Sequence, residues 1–269
     1  AGDEVLGTDH EYGACDRTWE ILTARQGARY VRAPIGAPVT THADLVEAVW
    51  ACVTERTRML FVSHITSSTG LIFPVAELCA RARAAGILTL VDGAHAPGQV
   101  ALDVASIGAD FYTGNCHKWL CAPKGAAFLH ARPEVQDMVE PLIISWGRRP
   151  WRPGPNRFVD DLEFTGTHDI AAYLSVPAAI DFQVVHRWAE VRVRCHEMLR
   201  RARARLLALP GIRAIHPDDP CWYAQMEAVE IPAALGDPRE LADRVFADHA
   251  VEVPMYDWNG RSYLRLAIQ

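Results

Sequence analysis

Two side chains that could do chemistry together end short apolar runs: Asp92 in L-T-L-V-D-G-A-H, and Lys118 in F-Y-T-G-N-C-H-K-W. Between them D-V-A-S-I-G-A, starting at Asp103, reads as a short helix. The unit is therefore strand, crossover, strand, as parallel pairing requires. In an open α/β sheet, ligands gather beyond the carboxyl ends of the strands. A carboxylate and an amine brought together there suit pyridoxal phosphate (PLP). The amine would carry the cofactor as a Schiff base, and the acid would keep the pyridine nitrogen protonated so that the ring serves as an electron sink. Taken singly, each residue has a plainer reading. An Asp at a strand end is often a helix cap or turn residue, and a lone Lys is usually solvated.

The surrounding words weigh against the plainer reading. V-D-G-A-H-A-P-G-Q-V, followed by D-F-Y-T-G-N-C-H-K-W-L-C-A-P-K-G-A-A-F-L, resembles the fold-type I PLP enzymes of aminotransferase class V, and most of all their isopenicillin-N-epimerase-like branch. The family pattern of D-x-x-(H or Q), then a small polar residue and H-K, is matched in order and spacing. The resemblance implies PLP bound at Lys118, Asp92 against the ring nitrogen, and His95 on the hydroxyl side as an acid/base group or hydrogen-bond partner. It places Asn115 and His117 near the phosphate.

The same resemblance assigns further residues. His10 in T-D-H-E-Y-G would stack on the pyridine ring, and Tyr12 could line the same face. In S-H-I-T-S the donor to the ring hydroxyl oxygen would be Thr66 or Ser67; turn hydroxyls at a strand end are an equal alternative. Gly166-Thr167 resembles the family's E-x-G-T element, which implies a homodimer with Thr167 reaching the phosphate of the neighbouring subunit. His168 follows, where the branch often has Arg. Arg265 in Y-L-R-L-A-I-Q matches the strand that holds a substrate α-carboxylate, a task suited to a bidentate guanidinium. Cysteine desulfurases of this class need a mobile-loop cysteine shortly before that arginine. Residues 245–264 contain none, which argues against persulfide-forming desulfuration.

The elements that must position these groups alternate. Strands are expected at 4–9, 28–33, 58–64, 87–92, 109–114 and 125–130. Helices are expected at 14–25, 42–53 opened by Thr41, and 74–85 with Pro74 in its first turn. This order predicts an α/β fold with a mostly parallel sheet flanked by helices, the PLP fold-type I large domain by resemblance. After P-W-R-P-G-P the texture changes, and 169–208 reads as long helix, interrupted or started by Pro177. A smaller C-terminal α/β domain follows, with strands from Gln225, at 251–254 and at 263–268, and a helix from Asp237 to His249. We expect domains at 1–180 and 181–269. Both ends look cut: the family carries an upstream phosphate-binding turn at a helix N-terminus and a final helix, so a fragment of a longer subunit is expected.

Composition excludes other classes. With 50% hydrophobic and 22% charged residues in 269 and a net charge of -6, the chain is an ordinary globular protein without the basic footprint of a nucleic-acid binder. The basic run from Arg192 is interrupted by apolar residues at helical spacing and reads as the wet face of an amphipathic helix. No eighteen-residue apolar stretch or signal peptide is present, so no membrane partner is expected. Seven scattered cysteines, never C-x-x-C, argue against disulfides and a metal site and for a reducing cytoplasm. No G-x-G-x-x-G or Walker A word follows a strand. The expected function is a PLP-dependent epimerase-like enzyme acting at the α-carbon of an amino acid. A carbon–sulfur lyase or aminotransferase of the same class, or an inert truncated homologue, is the alternative.

Overall fold

The computed structural model describes residues 2–269. Its first part alternates: β1 (Glu4–Thr8), α1 (Gly13–Arg25), β2 (Arg29–Ala33), α2 (His42–Trp50), β3 (Thr57–Ser63), α3 (Val75–Ala84), β4 (Leu88–Asp92), α4 (Val104–Ile107), β5 (Phe111–Asn115) and β6 (Ala127–Ala131). Local chemistry explains the helix starts. The Thr41 hydroxyl accepts from Asp44 N at 3.0 Å and donates to the Asp44 carboxylate, a reciprocal cap. Asp103 caps α4 through two backbone N–H groups, and left-handed Gly108 ends it. Pro74 sits at the cap of α3, one position before its first turn.

The strands form one sheet in the order β2-β1-β3-β4-β5-β6. All pairs are parallel except β5 with β6, which is antiparallel. One face packs Leu6, Leu60, Val62, Val91 and Tyr112 into the main core with α2 and α3. The mostly parallel sheet flanked by helices is as the alternation of apolar runs predicts.

The second part departs from expectation in three places. The long helix expected over 169–208, interrupted or started by Pro177, is divided into α6 (Ala171–Leu174), α7 (Val176–Val185) and α8 (Trp188–Leu207), following an unforeseen α5 (Arg157–Glu163) capped by the Asn156 side chain. Pro177 lies in the first turn of α7, where its missing N–H costs nothing. Arg187 adopts φ 48°, and this left-handed residue turns the chain between α7 and α8.

The smaller sheet is antiparallel, in the order β7 (Arg213–Ala214), β8 (Met226–Ile231), β10 (Arg261–Ala267), β9 (Met255–Trp258), with α9 (Pro238–His249) between β8 and β9. The strand expected at 251–254 lies instead at Met255–Trp258, because Asn259 and Gly260, both with positive φ, make a tight hairpin into β10. Among the described residues no helix is long and apolar enough to cross a membrane.

The loop after β4 must pass very close to the turn that carries Lys118. Gly98 has φ +84°, and a Cβ there would sit 2.4 Å from the Trp119 carbonyl oxygen. Gly98→Ala is expected to cost about 2 kcal/mol or more from the left-handed backbone and the contact. A lower urea midpoint measures this, and an unchanged midpoint refutes the packing described.

Candidate active site

Three neighbouring strands run in register at the sheet's carboxyl edge. Ser63 of β3 pairs with Asp92 of β4, and Asp92 pairs with Thr113 of β5. Side chains alternate across a strand, so Phe61 and Ser63, Leu90 and Asp92, and Thr113 and Asn115 share one face. All six line a cavity of ≈ 500 Å³ at the carboxyl edge of the sheet. The other face carries the core. The Asp92 carboxylate accepts from Ala94 N through Oδ1 at 2.9 Å, and the Cys15 thiol approaches Oδ2 at 3.9 Å. Gly93 follows because the Tyr112 ring fills the space a Cβ would need.

Loops after β4 and β5 bring the amine to this edge. Lys118 Nζ lies 3.2 Å from His95 Nε2, and His95 Nδ1 accepts from the Trp119 indole N–H at 3.1 Å. Burial, then the nearby Lys118 and Arg265 charges, push His95 down to about 3, so its ring is neutral. Burial also lowers the proton affinity of Lys118, helped by Arg265 and opposed by Asp92. Asn115, His117 and Ser67 complete this wall. His117 Nδ1 lies 3.2 Å from the Ala126 carbonyl, which only accepts.

The opposite wall is α1. Tyr12 stands at its N-cap, and Cys15, Thr18 and Trp19 follow at helical spacing on one face. Lys118 Nζ lies 6.0 Å from the centre of the Tyr12 ring. Cys15 is pushed up to about 11 by burial and by the Asp92 and Glu11 carboxylates, which keeps it a protonated thiol. Beneath this wall Glu11 is buried and accepts from the Thr8 hydroxyl at 2.6 Å and from Ser63 N and Oγ at 2.9 and 2.7 Å. Burial raises it to about 7 against those hydrogen bonds. Sequence reasoning missed Cys15, Thr18, Trp19 and Glu11. The helical spacing that starts at Tyr12 was the available signal for the first three.

The structure thus brings Asp92, His95, Asn115, His117, Lys118, Ser67 and Tyr12 together. It does not bring His10, Thr66, Arg265 or Thr167 to the cavity wall. His10 is fully buried: Nε2 meets the Ile35 carbonyl at 3.0 Å, Nδ1 meets Thr69 Oγ1 at 2.8 Å, and the ring packs 4.2 Å from Trp258. The expected stacking histidine is therefore spent on holding loops, and Tyr12 supplies the aromatic ring beside Lys118. Thr66 is also committed, to Thr69 Oγ1 and Leu71 N, which leaves Ser67 as the hydroxyl facing the cavity. Arg265 stands behind Ser67, with Nη1 on its carbonyl at 2.5 Å and Nε buried without a hydrogen-bond partner. Thr167 lies in an exposed loop away from the cavity.

Comparison with known proteins adds to this geometry. A family model described as aminotransferase class-V matches residues 1–244. The isopenicillin N epimerase of Amycolatopsis lactamdurans is 38% identical over 99% of this chain and 69% of its own length. A protein of Oryza sativa subsp. japonica, provisionally named L-cysteine desulfhydrase 1, is 33% identical over 97% of this chain and 55% of its own. Among solved structures, the cystine C–S lyase C-DES, in complex with its product cysteine persulfide, matches with a TM-score of 0.81. It is 22% identical, with 100% of this chain and 71% of that one covered. A Lys-to-Ala variant of C-DES holds glycine covalently linked to its PLP cofactor.

Two half-buried rings carry a pH signature. His95 and His64 are held at about 3 and about 4, chiefly by burial. Between those values and about 6.5 the unfolded chain binds protons that the folded chain refuses, so these rings make stability fall as pH falls. Glu11, raised to about 7, acts in the opposite sense above about 4.5. On going from pH 7 to pH 5, His95→Gln is expected to lose about 2 kcal/mol less stability than the parent chain. Urea unfolding at the two pH values measures this, and equal losses exclude a neutral His95 held in the folded chain.

Proposed function

The chain belongs to the aminotransferase class V family, and from that premise we propose that it is a PLP-dependent enzyme acting at the α-carbon of an amino-acid substrate. An isopenicillin-N-epimerase-like reaction is the reading we favour. The observation that carries the proposal is the amine of Lys118, partly buried on the wall of the same cavity as the Asp92 carboxylate. The chain spans 69% of the length of the epimerase it resembles, so the activity of the whole protein is part of the proposal.

The residues present fit the cofactor. An amine of lowered proton affinity is available for its aldehyde, and Asp92 Oδ2 has only the weak Cys15 thiol contact, leaving it available to a ring nitrogen. Asn115 and His117 line the cavity and would serve as polar partners of its phosphate, and the cavity of ≈ 500 Å³ admits a ligand of this size. When bound, PLP supplies the electron sink that makes a Cα–H bond acidic.

The chain's own groups do the rest. Lys118 would anchor the cofactor through Nζ and, once displaced by substrate, take the proton from one face of the substrate Cα, inversion requiring a proton delivered to the other face. Asp92 would balance the charge on the ring nitrogen, and Tyr12 would cover the ring face. Ser67 and His95 would donate on the hydroxyl side. Arg265, which stands behind Ser67 and off the cavity wall, would have to swing past Ser67 to receive the substrate carboxylate, a planar acceptor suited to a guanidinium.

Several features bear on neighbouring readings. A carbon–sulfur lyase is supported by the desulfhydrase-named relative and the fold of C-DES, and it differs in product, not in the residues named. Cys15, although in the cavity, is a thiol held protonated and so a poor nucleophile, which argues against a persulfide carried there. A homodimer with Thr167 at the neighbouring site is supported by apolar exposure between Leu142 and Val185, with Leu142, Trp146, Trp151 and Leu174 at 102%, 72%, 94% and 71%. Unpaired thiols at all seven cysteines favour a cytoplasmic location.

Lys118 and Lys124 are the only lysines, which makes the anchor directly testable. After incubation with PLP and borohydride, peptide mapping is expected to find the cofactor on Lys118, and Lys118→Ala is expected to abolish both the adduct and activity. In deuterated water an epimerase exchanges the substrate α-proton and leaves no keto acid, whereas a lyase releases pyruvate. An adduct on Lys124 alone, or none, rejects the assignment.

A further inference from the structure

We propose that Trp119 is a positioning residue that sets the tautomer of His95, so that His95 meets the cavity as a hydrogen-bond donor and not as a base. The inference deepens the reading above by assigning what one wall of that site can do, but it concerns the protein before any cofactor is bound.

Donor and acceptor counting fixes the tautomer. An indole N–H can only donate, and Trp119 Nε1 stands 3.1 Å from His95 Nδ1. Nδ1 therefore carries the lone pair, and a neutral imidazole then carries its one proton on Nε2. That N–H points to Lys118 Nζ, 3.2 Å away, and a free amine is the state of Lys118 that can accept it. An ammonium in the same place would set N–H against N–H. For His95 to act as a base it would have to take a proton at Nδ1, the position Trp119 occupies.

The arrangement is held from both sides. Trp119 is 6% exposed, its carbonyl accepts from Gln183 Nε2 at 2.9 Å, and Gly98 packs against its backbone. The His95 carbonyl accepts from Gln99 Nε2 at 2.8 Å, and Gln99 Oε1 in turn accepts from Gln225 N at 3.2 Å. The ring is thus positioned by its own loop, by α7 through Gln183 and by the start of β8. The charged and titratable groups around the pair are Asp92 on β4, Arg265 on β10, and Cys15 and Tyr12 at the start of α1. None of these supplies an acceptor that would pull the proton to Nδ1.

Imidazole nitrogen NMR on the ¹⁵N-labelled chain, without cofactor, reads the tautomer directly. We expect a pyrrole-type signal at Nε2 and a pyridine-type signal at Nδ1 of His95, with no imidazolium signal from pH 5 to pH 8. Trp119→Phe keeps most of the ring volume and removes the N–H. It is expected to mix the tautomers and to raise by about half a pH unit the pH at which Lys118 is half-modified by a small amine reagent, with exposed Lys124 as internal control. A purely structural tryptophan would leave the tautomer untouched in a folded variant, and that result overturns the proposal. A pyridine-type Nε2 in the parent chain overturns it as well, so the parent spectrum decides even if the variant fails to fold. Both readouts precede addition of PLP and are independent of whether PLP binds.

Discussion

Parallel pairing of β4 between β3 and β5 sets Ser63, Asp92 and Thr113 side by side at the carboxyl edge of the sheet, and the rest of the site is arranged around that row. With a side-chain period of two, a one-residue slip of β4 would send Asp92 into the core and Val91 into the cavity. The core resists the slip. Val62, Val91 and Tyr112 are fully buried on the far face, and Tyr112 also meets the His64 ring nitrogen at 2.8 Å. The apolar side of the sheet thus holds the polar side in place.

Buried polar groups then fix the loops to this frame. Glu11 joins the end of β1 to Ser63 of β3 through three donors, which offsets part of the cost of removing a carboxylate from water. His10, next to it, reaches the loops after β2 and β3. The smaller sheet clasps the same loops: Trp258 donates to the Asp9 carbonyl, Tyr256 to Ser68 and Arg265 to Ser67. Its own attachment to α8 is the buried pair Arg203–Glu227, whose guanidinium also donates to the His216 carbonyl. The desolvation of both charges offsets much of what their attraction contributes to stability.

Much of the site could be read before folding because its chemistry sits next to strong punctuation. Asp92 closes an apolar strand and is followed by glycine, and Lys118 follows another strand as one of only two lysines. The exchange between His10 and Tyr12 could not be read the same way. The two lie two residues apart at the junction of β1 and α1, and the direction in which the chain leaves the strand decides which ring faces the cavity. Here His10 turns inward onto Trp258 and Tyr12 opens the helix. The break between α7 and α8 was hidden for a related reason. Arg187 is an ordinary helix former by type, and its left-handed conformation answers to packing, not to propensity.

The amino-acid sequence by itself determined the alternation of strands and helices, the parallel sheet, and the placing of a carboxylate and an amine at one sheet edge. These follow from apolar periodicity, helix caps and turn residues, all of which act between near neighbours. Only the tertiary structure decided which groups share the cavity with them. Cys15 beside Asp92, the indole of Trp119 on His95, Arg265 behind Ser67 and the burial of Glu11 each depend on distant segments meeting. Burial and the charges of those segments, not residue type, set the proton affinities of Lys118, His95 and Glu11.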